Sequence, residues 1–305
     1  MARADSFYWQ QKTRVDARLR EIGRFNSGIT EGASSVIQKV IRYVVNRQND
    51  DGGYAFVQGT DSNAQDTYYG LAILNRLNAS FPNVERTVKW LRDFKPDSHY
   101  SHYYVAKALM LCGEKPHKTL KEFLLSQTTK NEFGTVNVYV EIASEFQFLS
   151  MLTELAKMVN IKIDHGKVAK WLLTFQNSDG GFGAHGYSSL NSTYYALAVL
   201  SNVNYPVKSL RQTVQYVREC EKPYGGFTIV PDSVNPYMEH VYYGTAALRL
   251  LGEKVRYPEQ TIEFILKCQN LNGGFARSDL GISTFEDTYY AISVLQIIEE
   301  GEAQY

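Results

Sequence analysis

The sequence predicts an all-α protein, an (α/α)6 toroid built from six helical hairpins, and three observations carry that prediction. Two adjacent tyrosines open an apolar run five times, at Tyr68-Tyr69, Tyr103-Tyr104, Tyr194-Tyr195, Tyr242-Tyr243 and Tyr289-Tyr290, and Phe146-Gln147-Phe148 is a degenerate sixth copy. The leading aromatics stand 35, 43, 48, 48 and 47 residues apart, the period of one supersecondary unit stacked on copies of itself. Amphipathic segments precede the runs, and a Gly-Gly turn joins the two parts in four of the six units. No strand-like alternation is sustained anywhere.

The elements follow in order. The first unit begins with VIQKVIRYVVNRQ, apolar near i, i+3, i+4 and i+7, which predicts an outer helix with one buried face. NDDGGYAF follows; its glycines suit a left-handed backbone after a helix end, and the next aromatic can pack back over that end. TYYGLAILNRL, nearly apolar all round, reads as an inner helix wrapped by others. The second unit (about 84–113) and the third (about 119–157) lack the double glycine, the third keeping NEFGT around Gly134. VAKWLLTFQ, LRQTVQYVREC and TIEFILKCQ open units four to six, with the turns NSDGGFGA, KPYGGFTI and LNGGFAR. Polar residues just ahead of the tyrosines (Asp66, Ser192, Asp287) are the expected helix caps. Residues 1–35 stand outside the repeat as an N-terminal arm: residues 1–24 hold six basic and three acidic side chains with Phe7, Tyr8 and Trp9. The arm suits packing on the barrel, a partner contact or a peripheral membrane contact. The toroid occupies 36–305.

Composition narrows the function. With 32 basic and 32 acidic residues in 305, nothing draws the chain to nucleic acid. There is no apolar stretch of about 18 residues to span a membrane, and the N-terminus has no secretory apolar core. Cys112, Cys220 and Cys268 lie far apart with no metal-type spacing. The expectation is a cytoplasmic protein with reduced thiols.

The units QNSDGGFGA…STYYALAVL and CQNLNGGFAR…DTYYAISVL resemble the repeats shared by protein prenyltransferase β-subunits and squalene-type terpene cyclases, over roughly residues 36–299. That resemblance implies an aromatic-lined cavity for an isoprenoid or other apolar small molecule and, on the transferase side, a helical partner subunit and zinc. The family's zinc ligands are an Asp-x-Cys pair opening the fifth inner helix and a His opening the sixth; this chain has Glu239, Val241 and Asp287 there. The loop PDSVNPYME also lacks the Arg and Lys that would hold a diphosphate. The zinc set is therefore incomplete, and Glu239, His240 and Asp287 are the residues left for a hard-ligand site.

Terpene cyclases carry Asp-x-Asp-Asp-Thr, whose middle Asp is the acid. Gln65 fills that position in the first unit, beside Asp66, and Glu286 fills it in the sixth, beside Asp287. Adjacent carboxyls resist double ionisation, so Glu286 with Asp287 is the preferred acid. Asp66 reads instead as an ionised cap, and Glu239 with His240 as further acid, base or metal groups. The plain alternatives are caps and solvated helix-start charges. Ring closure should gather Gln65, Asp66, Glu239, His240, Glu286 and Asp287 on one arc of the mouth, with His99, His102, Glu145 and Asn191 opposite. Tyr68, Tyr69, Tyr103, Tyr104, Phe146, Tyr194, Tyr195, Tyr242, Tyr243, Tyr289 and Tyr290 are the candidate hydrocarbon wall or, more simply, core. Neighbouring helical residues diverge by about 100°, so only one of each pair is expected to face the lumen squarely. The function read from these residues is an isoprenoid-handling enzyme resembling a prenyltransferase β-subunit. An acid-initiated terpene cyclase and a non-catalytic binding or scaffold toroid are the alternatives.

Overall fold

The computed structural model describes residues 34–117, 119–130 and 142–302. Among them are twelve α-helices, alternately outer and inner. The outer helices are α1 (Ser34–Val45), α3 (Val84–Asp93), α5 (Thr119–Lys130), α7 (His165–Leu173), α9 (Arg211–Cys220) and α11 (Pro258–Lys267). The inner ones are α2 (Ala64–Arg76), α4 (His99–Leu111), α6 (Ile142–Met158), α8 (Leu190–Asn202), α10 (Met238–Leu251) and α12 (Phe285–Glu302). Each outer helix packs on the inner helix that follows it, and each inner helix packs on the next, α12 returning to α2. That closes the ring. Residues 1–33 of the arm and the segment around Gly134 lie outside the described residues, and Ser34 and Ser35 already belong to α1.

The outer helices bury one stripe, as α9 does with Thr213, Tyr216, Val217 and Cys220. Four apolar or small residues at i, i+3, i+4 and i+7 suffice because the opposite face meets water. The Gly-Gly turns do more than reverse the chain. Gly180 has φ +86°, and a Cβ there would lie 2.3 Å from the Gln212 carbonyl of the next outer helix; at Gly273 (φ +96°) it would lie 2.3 Å from the Lys39 carbonyl. Only glycine tolerates both the left-handed backbone and the contact. Each turn thus seats on the following outer helix, the sixth on the first.

The aromatic after each pair packs differently from expectation. Tyr54, Phe182, Phe227 and Phe275 are fully buried, and Tyr54 and Phe227 lie over Gly70 and Gly244 of their own inner helices. Three of their backbone N–H groups donate to buried threonines of the inner helix: Tyr54 to Thr67, Phe182 to Thr193 and Phe275 to Thr288, at 2.9–3.0 Å. The caps also move. Asn63, Ser189 and Thr284, not Asp66, Ser192 and Asp287, accept the first-turn N–H groups. The expected cap residues sit three positions further on, where each accepts a bond from the side chain of the cap itself. Asn63 Nδ2 reaches Asp66 at 2.7 Å, and Thr284 Oγ1 reaches Asp287 at 2.7 Å. No helix of the described residues is long and apolar enough to cross a membrane.

Candidate functional site

The lumen is bounded by the six inner helices, and the tyrosine pairs occupy it at one level. All ten tyrosines line a cavity of about 370 Å³, within the range of small-molecule sites. Both members of each pair face it, contrary to the one-in, one-out expectation. Straddling the inward direction lets each of two phenols about 100° apart reach the lumen edge-on. The rings meet their neighbours around the barrel: Tyr242 stacks on Tyr290 at 4.5 Å, Tyr194 on Tyr243 at 4.9 Å, and Tyr69 lies 5.3 Å from Tyr289.

Phe146 is the exception. It is fully buried but turned outward, edge-on to Trp171 (6.3 Å) and Phe175 (5.4 Å) of the fourth unit. Gln147, Ser150, Met151 and Glu154 line the cavity in its place. Alignment on the aromatic placed the third inner helix one residue out of register, and one residue rotates a helix by about 100°.

The second tyrosines form a hydroxyl chain that ends on a carboxyl. Tyr195 bonds Tyr243 (2.9 Å), Tyr243 bonds Tyr290 (3.3 Å), and Tyr290 and Tyr69 both donate to Glu286 Oε1, at 2.8 and 2.9 Å. Gln65 Nε2 approaches the other oxygen at 3.5 Å. Burial pushes the Glu286 carboxyl above its usual range, against the two phenol bonds that favour the charged form. Asp287 points the other way, to Thr284, and burial raises it to about 6, with Glu286 adding repulsion. Burial is the main cause for both; the repulsion that adds to it comes from Glu239 and Asp66 at Glu286, and from Glu286 and Glu239 at Asp287. Asp66 is corrected too. It accepts the Phe56 N–H (3.2 Å) and the Asn63 amide, yet burial outweighs both and raises it.

The expected arc does assemble: Gln65 meets Glu286 across 221 positions of sequence, and the charge of Glu239 is felt at both Glu286 and Asp287. Glu239 itself is held by Arg277 through bonds of 2.6–3.0 Å. His240 is buried, with Nε2 3.8 Å from Glu239, Nδ1 without a partner among the described residues, and its pKa lowered by burial. Val241 is fully buried. Among the described residues no three His, Cys, Asp or Glu side chains converge for a metal. On the opposite arc His99 lies against Tyr100 and Phe148, His102 stacks on Phe123, and Asn191 Oδ1 is buried without a partner among the described residues. They form no common group with one another.

Below the phenols the lumen is polar, which the sequence reading missed. Arg76, Lys107, Glu154, Asn202 and Arg249 line the cavity, and Gln296 joins them through Arg76. The signal was there. Arg76, Glu154, Asn202, Arg249 and Gln296 each follow a second-turn lumen residue (Tyr69, Gln147, Tyr195, Tyr242, Tyr289) by seven positions, two helical turns on the same face.

The chain matches the family described as "Prenyltransferase alpha-alpha toroid domain" over residues 2–138 and 146–305. The chain belongs to that family. Among solved structures, this prenyltransferase-type toroid is similar to Candida albicans protein geranylgeranyltransferase-I complexed with GGPP: TM-score 0.69, 17% identity, 88% of this chain and 93% of that one covered. It is also similar to the type II terpene cyclase MstE from Scytonema (TM-score 0.59, 12% identity, 94% and 99% covered). No curated protein matches the sequence. At these identities the likeness establishes the toroid alone; chemistry has to come from the site.

Proposed function

We propose that this toroid is an isoprenoid-handling enzyme of the acid-initiated kind, with Glu286 protonating an alkene of an apolar polyene held among the phenols. The observation that carries this reading is the Glu286 carboxyl. It is raised by burial, its Oε1 accepts both Tyr69 and Tyr290, and its Oε2 has only the long 3.5 Å approach of Gln65, which leaves that oxygen as the one to carry the acidic proton in this proposal. A carboxylic acid must hold its proton until the alkene arrives, and burial moves Glu286 in that direction. The proton passes to one alkene carbon, the π pair forms the new C–H bond, and the neighbouring carbon becomes a cation. The π faces of Tyr69, Tyr243 and Tyr290 can stabilise that cation without offering a strong nucleophile. Loss of a proton or capture of water ends the sequence.

The likeness to a protein solved with GGPP and to a terpene cyclase supports the substrate class. A zinc-dependent transfer fits less well. Zinc would have to be held by Glu239, His240 and Asp287, but Glu239 is committed to Arg277 and Asp287 to Thr284. A helical partner subunit and a peripheral membrane contact remain proposals on the same footing.

The test is incubation of the full chain with squalene and with geranylgeranyl diphosphate, products read by gas chromatography and mass spectrometry. Cyclic product is expected from one of them. Glu286→Gln should lower its rate at least about 100-fold, the usual minimum for a positioned acid. An unchanged rate removes Glu286 from the role. Substrate bound but never converted by the wild type would replace the enzyme reading by a binding one.

A further inference from the structure

The lower lumen contains four charged side chains among the described residues, Arg76, Lys107, Glu154 and Arg249. Glu154 pairs with Lys107 and accepts the Tyr103 hydroxyl at 2.7 Å. Arg249 is paired with Glu300 at 2.8 Å. Among the described residues Arg76 meets only neutral groups: Gln296 Oε1 at 3.0 Å and the Tyr289 hydroxyl at 3.2 Å, with its guanidinium 5.0 Å from the Tyr289 ring centre. Two of its five N–H donors are used. A charge drawn out of water without a counter-charge is costly, and a protein keeps one where something anionic compensates it. Arg76 nevertheless stands in a cavity large enough for a ligand, with Asn202, Ser150 and Gln147 adding neutral hydrogen-bonding groups to the same wall. The Tyr289 phenol responds to this excess charge: burial alone would raise it, but Arg76 and then Lys107 bring it below its usual value.

We propose that the lumen ligand is an amphiphile with an anionic end group, a carboxylate or a phosphate, seated on Arg76 at the C-terminal ends of the inner helices. Its hydrocarbon runs between the phenols towards Glu286. The inference rests on the hydrocarbon-wall reading above and adds the polarity and direction of the ligand. Gln296, which holds Arg76, and Glu286 lie on the same helix ten residues apart, so head and acid are separated by about 15 Å. The acid therefore meets the end of the chain remote from the charge.

Three ligands of equal tail test it: geranylgeraniol, geranylgeranoic acid and geranylgeranyl phosphate, titrated calorimetrically into the full chain. The wild type should bind at least one of the two anions about 10- to 100-fold more tightly than the alcohol, the value of hydrogen bonds to a charged group. A preference for the phosphate alone or the carboxylate alone identifies the source. Arg76→Gln should abolish the preference and leave the alcohol within about threefold; Arg76→Lys should retain part of it, as a point charge without the fork. Equal wild-type affinity for alcohol and anions overturns the inference whether or not the variants fold, while leaving the hydrocarbon reading intact. Equal weakening of all three ligands by Arg76→Gln overturns it too. Binding of none of the three overturns the inference, and the hydrocarbon reading falls with it when squalene is neither bound nor converted.

Discussion

Gly70→Ala and Gly244→Ala place the same methyl group on the same helical position in two units, and they should have opposite outcomes. Either change gains about 1 kcal/mol in helix propensity, because the unfolded chain loses glycine's freedom. The costs differ. At Gly70 the new Cβ meets the Tyr54 ring at 3.2–3.3 Å, a contact the ring relieves by moving a few tenths of an ångström. At Gly244 it lies 2.2, 2.3 and 2.7 Å from three carbons of the Phe227 ring, which is fully buried. Alanine already fills this position in units four and six, at Ala196 and Ala291. The difference lies in the turn. Both Gly225 and Gly226 have positive φ, whereas the other pairs have only their first glycine there, so Phe227 approaches its helix more closely. Overpacking of this degree costs about 3 kcal/mol, leaving Gly244→Ala about 2 kcal/mol less stable and Gly70→Ala neutral or slightly more stable. At about 2 °C per kcal/mol for a chain of this size or larger, differential scanning calorimetry should show a drop of about 4 °C for the first and none for the second. Equal melting temperatures would refute the reading of the fifth turn.

Phe146→Leu should cost about 1 kcal/mol of stability yet change lumen-ligand affinity by less than about twofold, measured by calorimetry; a larger change would return the ring to the cavity wall. Asp287 holds its proton more tightly in the native state, up to about 6 against an ordinary 3.8, so its contribution is present at low pH and is lost as pH rises across that window. Asp287→Asn should therefore flatten the fall in unfolding free energy, from urea titrations between pH 4 and 6, by up to about 1.4 kcal/mol per pH unit; an unaltered slope would mean the native state does not retain that proton.

The architecture was legible because it rests on local regularities repeated six times. Apolar spacing gives the helix faces, and Gly-Gly gives the close seat on the next unit. The caps were displaced by three residues because Asp66, Ser192 and Asp287 are as acceptable chemically as Asn63, Ser189 and Thr284; only the backbone bonds tell cap from reciprocal partner. Phe146 was misread because a degenerate unit offers two registers to an aromatic alignment. The sign of the Asp66 shift was missed because hydrogen bonds can be inferred from sequence but depth of burial cannot. The polar floor escaped for another reason. Single residues such as Arg76 and Glu154 look incidental in an apolar run, and their meeting depends on closure of the ring.

That closure leaves a seam. Gly273 and Gly274 of the last turn seat on Lys39 and Tyr43 of the first helix, Tyr43 bonds the Ser283 carbonyl 240 positions away, and Gln296 grips Arg76. Until the last hairpin leaves the ribosome, the first has an unmatched flank, and contacts of such sequence separation form late. The flank also has nearly the shape that α3, α9 and α11 offer the turns before them, so a growing chain can accept the last hairpin of a neighbouring copy in place of its own. At high concentration this fold therefore has a built-in route to head-to-tail exchange between copies, and dilute refolding is the condition that favours the single closed ring.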